Sequence, residues 1–149
     1  MSQTPAARRP DRLTGSSPWE EEYGFARAVA AGDFVLVSGS TAVDADGVVQ
    51  CEGDPHGQTL AAFGTARAAL ERFGLTLADV VRTRMYVTHV RDCEEVGRAH
   101  KSLFGEVRPA ATMVVVEGLV DPRMMVEVEI DAHRSGLAET LEALEGNQP

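Results

Sequence analysis

Apolar positions along the chain recur at two different periods. Two short apolar runs, residues 25–30 and 34–38, are split by Ala31-Gly32-Asp33, the pattern of a β-hairpin. A third, weaker strand is expected near Val48 and Val49, after the turn signal Asp44-Ala45-Asp46-Gly47. The spacing then lengthens to that of a helix, with Leu60, Phe63, Leu70 and Phe73 as its buried stripe. Asp54 suits the cap, Pro55 the first position, and Gly74 a left-handed stop. Gly64 costs that helix up to about 1 kcal/mol relative to alanine, which close packing on a sheet would explain. Val81, Thr83, Met85 and Val87 alternate with Arg82, Arg84 and Tyr86, the period of a two-faced strand. Asp92 with Glu95 reads as a capping box, and Val96, Leu103 and Phe104 carry a second helix to Gly105. Strands over 112–116 and 124–131, with a turn at Asp121-Pro122 between them, close the pattern.

Strands interspersed with two helices predict an α/β domain, a mixed sheet with both helices on one face. The other face then needs cover, which self-association would supply. Residues 1–15 are poor in large apolar side chains and read as a flexible N-terminal tail. The single domain is expected over 16–134. Residues 135–149 form an acidic extension in which Leu137, Leu141 and Leu144 suggest a short amphipathic helix, docked on a neighbour or frayed.

With 149 residues, 44% hydrophobic and 25% charged, the chain suffices for one core; domains of this size bury roughly 70% of the unfolded chain's surface. The net charge of −9 argues against nucleic acid as the main partner, because phosphate binding wants a basic face. No apolar run reaches the roughly 18 residues of a membrane span, and no signal-like block follows the start, so no membrane association and a cytoplasmic location are expected. Cys51 and Cys93 form no Cys-x-x-Cys pair. His56, His89, His100 and His133 show no metal-binding spacing, so neither a metal nor another cofactor is expected.

Several stretches together carry a likeness. They are Ser38-Gly39 at the end of the second strand, Gln58-Thr59 entering the first helix, and Gly74-Leu75-Thr76-Leu77-Ala78-Asp79-Val80-Val81 leading into the central strand. Last come Arg108-Pro109-Ala110 and Val126-Glu127-Val128-Glu129. In this order and spacing, over roughly residues 16–133, the chain resembles the RidA/YjgF-like family of small proteins that hydrolyse reactive enamines and imines. The resemblance implies a chorismate-mutase-like fold, a homotrimer, and clefts between subunits that receive a small-molecule metabolite. It also implies three site positions. The aromatic residue of the first strand, usually tyrosine, falls on Phe25; the glutamate of the last strand falls on Glu127; the arginine of the family's Pro-Ala-Arg triplet falls on Ala111.

That last position is the departure. The family's arginine grips a substrate carboxylate through a bidentate pair, for which a planar fork of donors is suited and alanine is not. Phe25 likewise lacks the hydroxyl that would order a water. Two arginines are candidate replacements. Arg27 stands two residues after Phe25, on the same face if the strand is regular. Arg108 precedes Pro109, which favours an extended backbone there. Each has a plainer reading as a solvated or interface residue. Glu127 is the candidate proton carrier; Glu129 shares its side of a regular strand and reads equally as part of a polar edge. His100 is expected to pack or cap rather than catalyse, Cys93 to be a small core residue, and Cys51 to be incidental. Trp19 reads as a lid on the cleft or as simple packing.

These residues favour a RidA-like protein acting on a small imine, enamine or related metabolite, and not a standard 2-aminoacrylate deaminase. The alternative is a non-catalytic small-molecule-binding or regulatory trimer. A ribonuclease reading, known from the same family, conflicts with the acidic balance and the lack of a basic, aromatic-lined surface.

Overall fold

The computed structural model describes residues 11–146, and the termini outside that range include most of the predicted tail. Among the described residues six strands form one sheet: β1 (Arg12–Leu13), β2 (Ala28–Ala31), β3 (Phe34–Ser40), β4 (Val80–Val87), β5 (Ala110–Val115) and β6 (Val126–His133). Four α-helices accompany them: α1 (Pro18–Tyr23), α2 (Pro55–Glu71), α3 (Cys93–Phe104) and α4 (Leu137–Gly146). The strand order is β1-β2-β3-β6-β4-β5. All pairs are antiparallel except β4 with β5. The two closing strands therefore do not pair with each other, although a turn between them suggested it; β4 lies between them.

The predicted α/β class holds. Alternation sends Val35, Val37, Thr83, Met85, Val87, Val126, Val128, Ile130 and Ala132 to one side, where α2 lies on β6 and β3 and packs against α3. The opposite side carries Leu36, Arg82, Arg84, Tyr86, Glu127, Glu129 and Asp131, and no element among the described residues covers it.

Helix α2 begins as predicted. Asp54 Oδ1 accepts from Gly57 N at 2.9 Å, and Pro55 opens the helix. Its buried face differs from the predicted stripe: Leu60 is 37% exposed, and small residues, Ala62, Ala66 and Ala69, flank Phe63 and Leu70 against the sheet. Alanine carries little hydropathic signal, so the large apolar residues pointed slightly off the true face. Gly64 points away from the sheet, and a Cβ there would meet nothing within 4 Å. Close packing does not explain it. Gly64→Ala is therefore expected to stabilise the protein by about 0.5–1 kcal/mol, read as a higher midpoint in urea with an unchanged m-value; an unchanged or lower midpoint would contradict the open surroundings described here.

Four local expectations fail, three of them for identifiable reasons. The strand expected from Phe25 starts only at Ala28, because helix α1, capped by Ser17, ends at Gly24 in a left-handed conformation (φ 77°) and Phe25 belongs to the exit. The box at Asp92 and Glu95 does not form: a 3-10 turn over Val90–Asp92 runs directly into α3, so Asp92 is already helical (φ −91°, ψ −9°) and its side chain makes no cap. In β4 the pairing with β6 shifts between Val80 and Arg82, which buries Val80 and leaves Val81 43% exposed. The expected strand near Val48 and Val49 is reduced to a single bridge, Val43 with Val49.

Both ends of the predicted domain continue into structure. Arg12–Leu13, within the segment read as tail, pair with β2. Helix α4 docks on its own domain: Leu137 is buried in the core, Leu141 packs against it, and Leu144 is 61% exposed. Asp33, in the β2–β3 turn, accepts from Ala138 N at 2.9 Å and Gly136 N at 3.2 Å, capping α4 from a distance. Those two backbone donors hold its carboxyl below the usual range.

Candidate functional site

Glu127, the residue matched to the family's last-strand glutamate, lies where the sheet is irregular. Pairing runs Val37 with Ile130 and then Ser40 with Val128, three steps on β3 against two on β6. The extra residue makes a β-bulge that contains the carbonyls of Ser38, which accepts from Ser40 Oγ at 3.0 Å, and Gly39. Arg27 meets them: its Nη2 donates to Ser38 O at 2.5 Å and to Gly39 O at 2.6 Å. The Arg27 backbone is itself fixed, its N–H donating to Leu13 O at 2.8 Å and its carbonyl accepting from Ser38 N at 3.0 Å. Ser38 Oγ donates to Ala26 O at 2.7 Å, tying the same segments together.

Gly39 is required by close approach. A Cβ at this position would sit 2.8 Å from Glu127 Oε2 and 3.0 Å from its Cδ, so the carboxylate rests on bare backbone. Burial pushes the Glu127 carboxyl up from its ordinary value; Glu129 adds to the rise and Arg27 opposes it. Glu129, on the same side of β6 as predicted, has other partners. Tyr86 donates to it, which with burial raises the phenol, and Arg84 Nη1 stands 4.0 Å from Glu129 Oε2 and 3.1 Å from Asp131 Oδ2. The two glutamates thus occupy different environments: Glu129 in an ion-pair row, Glu127 partly buried over the bulge.

Glu20 is a site residue that the sequence reading did not single out. It is 6% exposed; its Oε1 accepts from Gly15 N at 2.9 Å, and Oε2 is buried without a hydrogen-bond partner. Burial lowers the Arg27 guanidinium below its usual value, and the charges of Glu20 and then Glu127 pull it back. The run Pro18-Trp19-Glu20-Glu21-Glu22 gave no periodic signal that its first glutamate turns inward. Phe25 is 45% exposed and, with Arg12, Thr14, Glu20, Val29 and Ser38, lines a surface groove of about 660 Å³. Trp19 is half exposed and packs on Tyr23, ring centroids 5.5 Å apart.

Ala111 is elsewhere. It pairs with Thr83, whose side chain faces the helices and lies 2.8 Å from His100 Nε2, whereas Glu127 pairs with Tyr86 on the open face. Within one chain, then, Phe25, Arg27 and Glu127 belong to the bulge region, and Ala111 faces the other way on the edge strand. Met113, next along that face, has its Cε 3.8 Å from where a Cβ on Gly97 would lie.

Arg108 departs from the predicted extended backbone. Its φ is 56°, because it closes α3: its N–H donates to Phe104 O at 2.9 Å and its Nε to Gly105 O at 2.8 Å. The unpaired carbonyls at the helix end outweigh the preference imposed by Pro109. With His100, Lys101, Phe104 and Pro109 it lines a second groove of about 410 Å³.

His100 packs as predicted, between Phe63 and Phe104, and burial lowers its pKa. Cys93 touches the core edge, and Cys51 is exposed. Among the described residues no cluster of His, Cys, Asp and Glu could hold a metal ion, and no helix is long and apolar enough to cross a membrane.

Comparison with known proteins agrees with this architecture. An uncharacterized protein of Streptomyces coelicolor is 52% identical over 126 residues, which cover 85% of this chain and 93% of the relative. A crystal structure from Mycobacterium tuberculosis, of a member of the YjgF/YER057c/UK114 family, superimposes with a TM-score of 0.74 at 39% identity, covering 83% of this chain and 98% of that one. A RutC family protein of Pyrococcus abyssi is 28% identical, over 74% of this chain and 86% of its own. The family model for Endoribonuclease L-PSP matches residues 16–134, and the chain belongs to that family, the YjgF/RidA family of chorismate-mutase-like proteins.

Proposed function

We propose that this protein hydrolyses a small imine or enamine in clefts between the subunits of a homotrimer, and that its substrate is not the 2-aminoacrylate type. The observation that carries the substrate distinction is Ala111, where the family likeness calls for the carboxylate-gripping arginine. The opposite facing of Ala111 and Glu127 supports a shared cleft, since only a second copy can bring a β5 edge to a Glu127 bulge. Phe34 and Leu36, 46% and 43% exposed on the open face, supply apolar area for that association.

In the proposed reaction Glu127 accepts a proton from water as its oxygen bonds to the C=N carbon. Glu127 returns that proton to the nitrogen as the C=N π bond is lost, giving a carbinolamine. Glu127 then takes the carbinolamine hydroxyl proton and passes it to nitrogen as the C–N bond breaks, leaving a carbonyl product and ammonia. A carboxyl raised by burial suits both directions of that transfer. Phe25 packs against the ligand's apolar part.

The test is ammonia and carbonyl release from a panel of imines generated by an amine or amino-acid oxidase, with the oligomeric state measured by light scattering. Imines without an adjacent carboxylate are expected to turn over faster than 2-aminoacrylate. No release above buffer from any of them, by a folded trimer, would overturn hydrolysis and leave a binding role.

A further inference from the structure

At the bulge in β3 one guanidinium nitrogen donates to the carbonyls of both Ser38 and Gly39, with Ser40 Oγ a second donor to Ser38 O at 3.0 Å. We infer that Arg27 is a positioning residue: its guanidinium fastens the Ser38–Gly39 bulge beneath the Glu127 carboxylate, and it is not the group that grips an anionic ligand. Three observations carry this assignment. Nη2 is committed to Ser38 O and Gly39 O, and Nε is buried without a hydrogen-bond partner. Glu127 touches the bulge directly, its Oε2 occupying the space a Gly39 side chain would need. Glu20, buried one segment earlier, sets a negative charge near the half-buried guanidinium, with Gly15 packed on both: a Cβ there would lie 2.7 Å from Glu20 Oε2 and 3.3 Å from Arg27 Cβ.

The inference rests on Glu127 as the proton carrier and narrows the substrate class further. With Ala111 apolar and Arg27 engaged by backbone, neither offers a free fork for a carboxylate. The ligand is therefore one whose reacting carbon carries no anionic neighbour in need of a bidentate partner.

Side-chain and carbonyl ¹³C NMR on the natural protein tests it without any substrate. The charged and titratable groups around Glu127 are Arg27 and Glu129, with Glu20, Tyr86 and Arg84 beyond them. In Arg27→Met the Ser38 and Gly39 carbonyl resonances should move and the Glu127 titration midpoint should rise, because the opposing positive charge is gone. In Arg27→Lys the charge returns and the midpoint should fall back toward the natural value, while both carbonyl resonances stay displaced, since a single ammonium does not reproduce the fork. Acetate added to the natural protein should leave the Arg27 guanidinium ¹⁵N resonances unmoved. Unchanged carbonyl resonances and midpoint in Arg27→Met, or a saturable guanidinium shift with acetate, would overturn the assignment. A lack of turnover on every imine would instead sink the functional reading alone.

Discussion

Replacing Glu127 by glutamine is expected to lower kcat/KM for the cleft substrate by about 10²- to 10⁴-fold, the usual contribution of a positioned general base. The amide keeps the shape over Gly39 but cannot accept the proton from water. Ligand affinity should change far less, because Gln retains the contact with the bulge. The pH profile provides a second readout. Burial and Glu129 raise the Glu127 carboxyl, so the basic form is lost, and activity falls, as pH drops through a midpoint above the ordinary glutamate value. In the glutamine variant that acid limb should vanish. Near-natural turnover in Glu127→Gln would remove Glu127 as the base and leave the proton to another group.

Ala111→Arg should do the opposite on a different substrate. The natural protein is expected to release little ammonia from 2-aminoacrylate. The variant should gain ten- to more than a hundredfold, since each hydrogen bond between guanidinium and carboxylate contributes about 1.5–3 kcal/mol. Ala111 lies exposed on the edge strand β5, so a longer side chain has room without disturbing the core. Strong release by the natural protein would show that another group already performs the grip. Arg108 would then be examined first, because its position at the end of α3 places it two residues before β5.

What was legible in the sequence follows from which interactions are local. Asp54-Pro55 at the start of α2 and the alternation of β6 are written in neighbouring residues, and both were read correctly. Glu127 and Glu129 were placed on one side of their strand for the same reason. Their separation into a bulge site and an ion-pair row depends on what β3 and β4 bring opposite, which no local pattern encodes. The same holds for Arg27, whose partners are carbonyls created by a register shift, and for Glu20, whose burial depends on Gly15 and Arg27 closing over it. Arg108 shows the converse: a local preference from Pro109 was overruled by the needs of a helix end. Ala111 was identified through family likeness, but its facing away from Glu127 emerged only from the parallel register of β4 and β5.

The sheet order also governs how the chain folds. Among the described strands β6 comes last in sequence and lies at the centre, between β3 and β4. Until it emerges from the ribosome, β1-β2-β3 and β4-β5 are two separate half-sheets, each with an unpaired edge where the centre will be. Contacts this distant in sequence favour slow closure, and open edges are sites of wrong pairing. A chain interrupted before Val126 would therefore be an aggregation hazard, and sheet completion waits for β6 to be made.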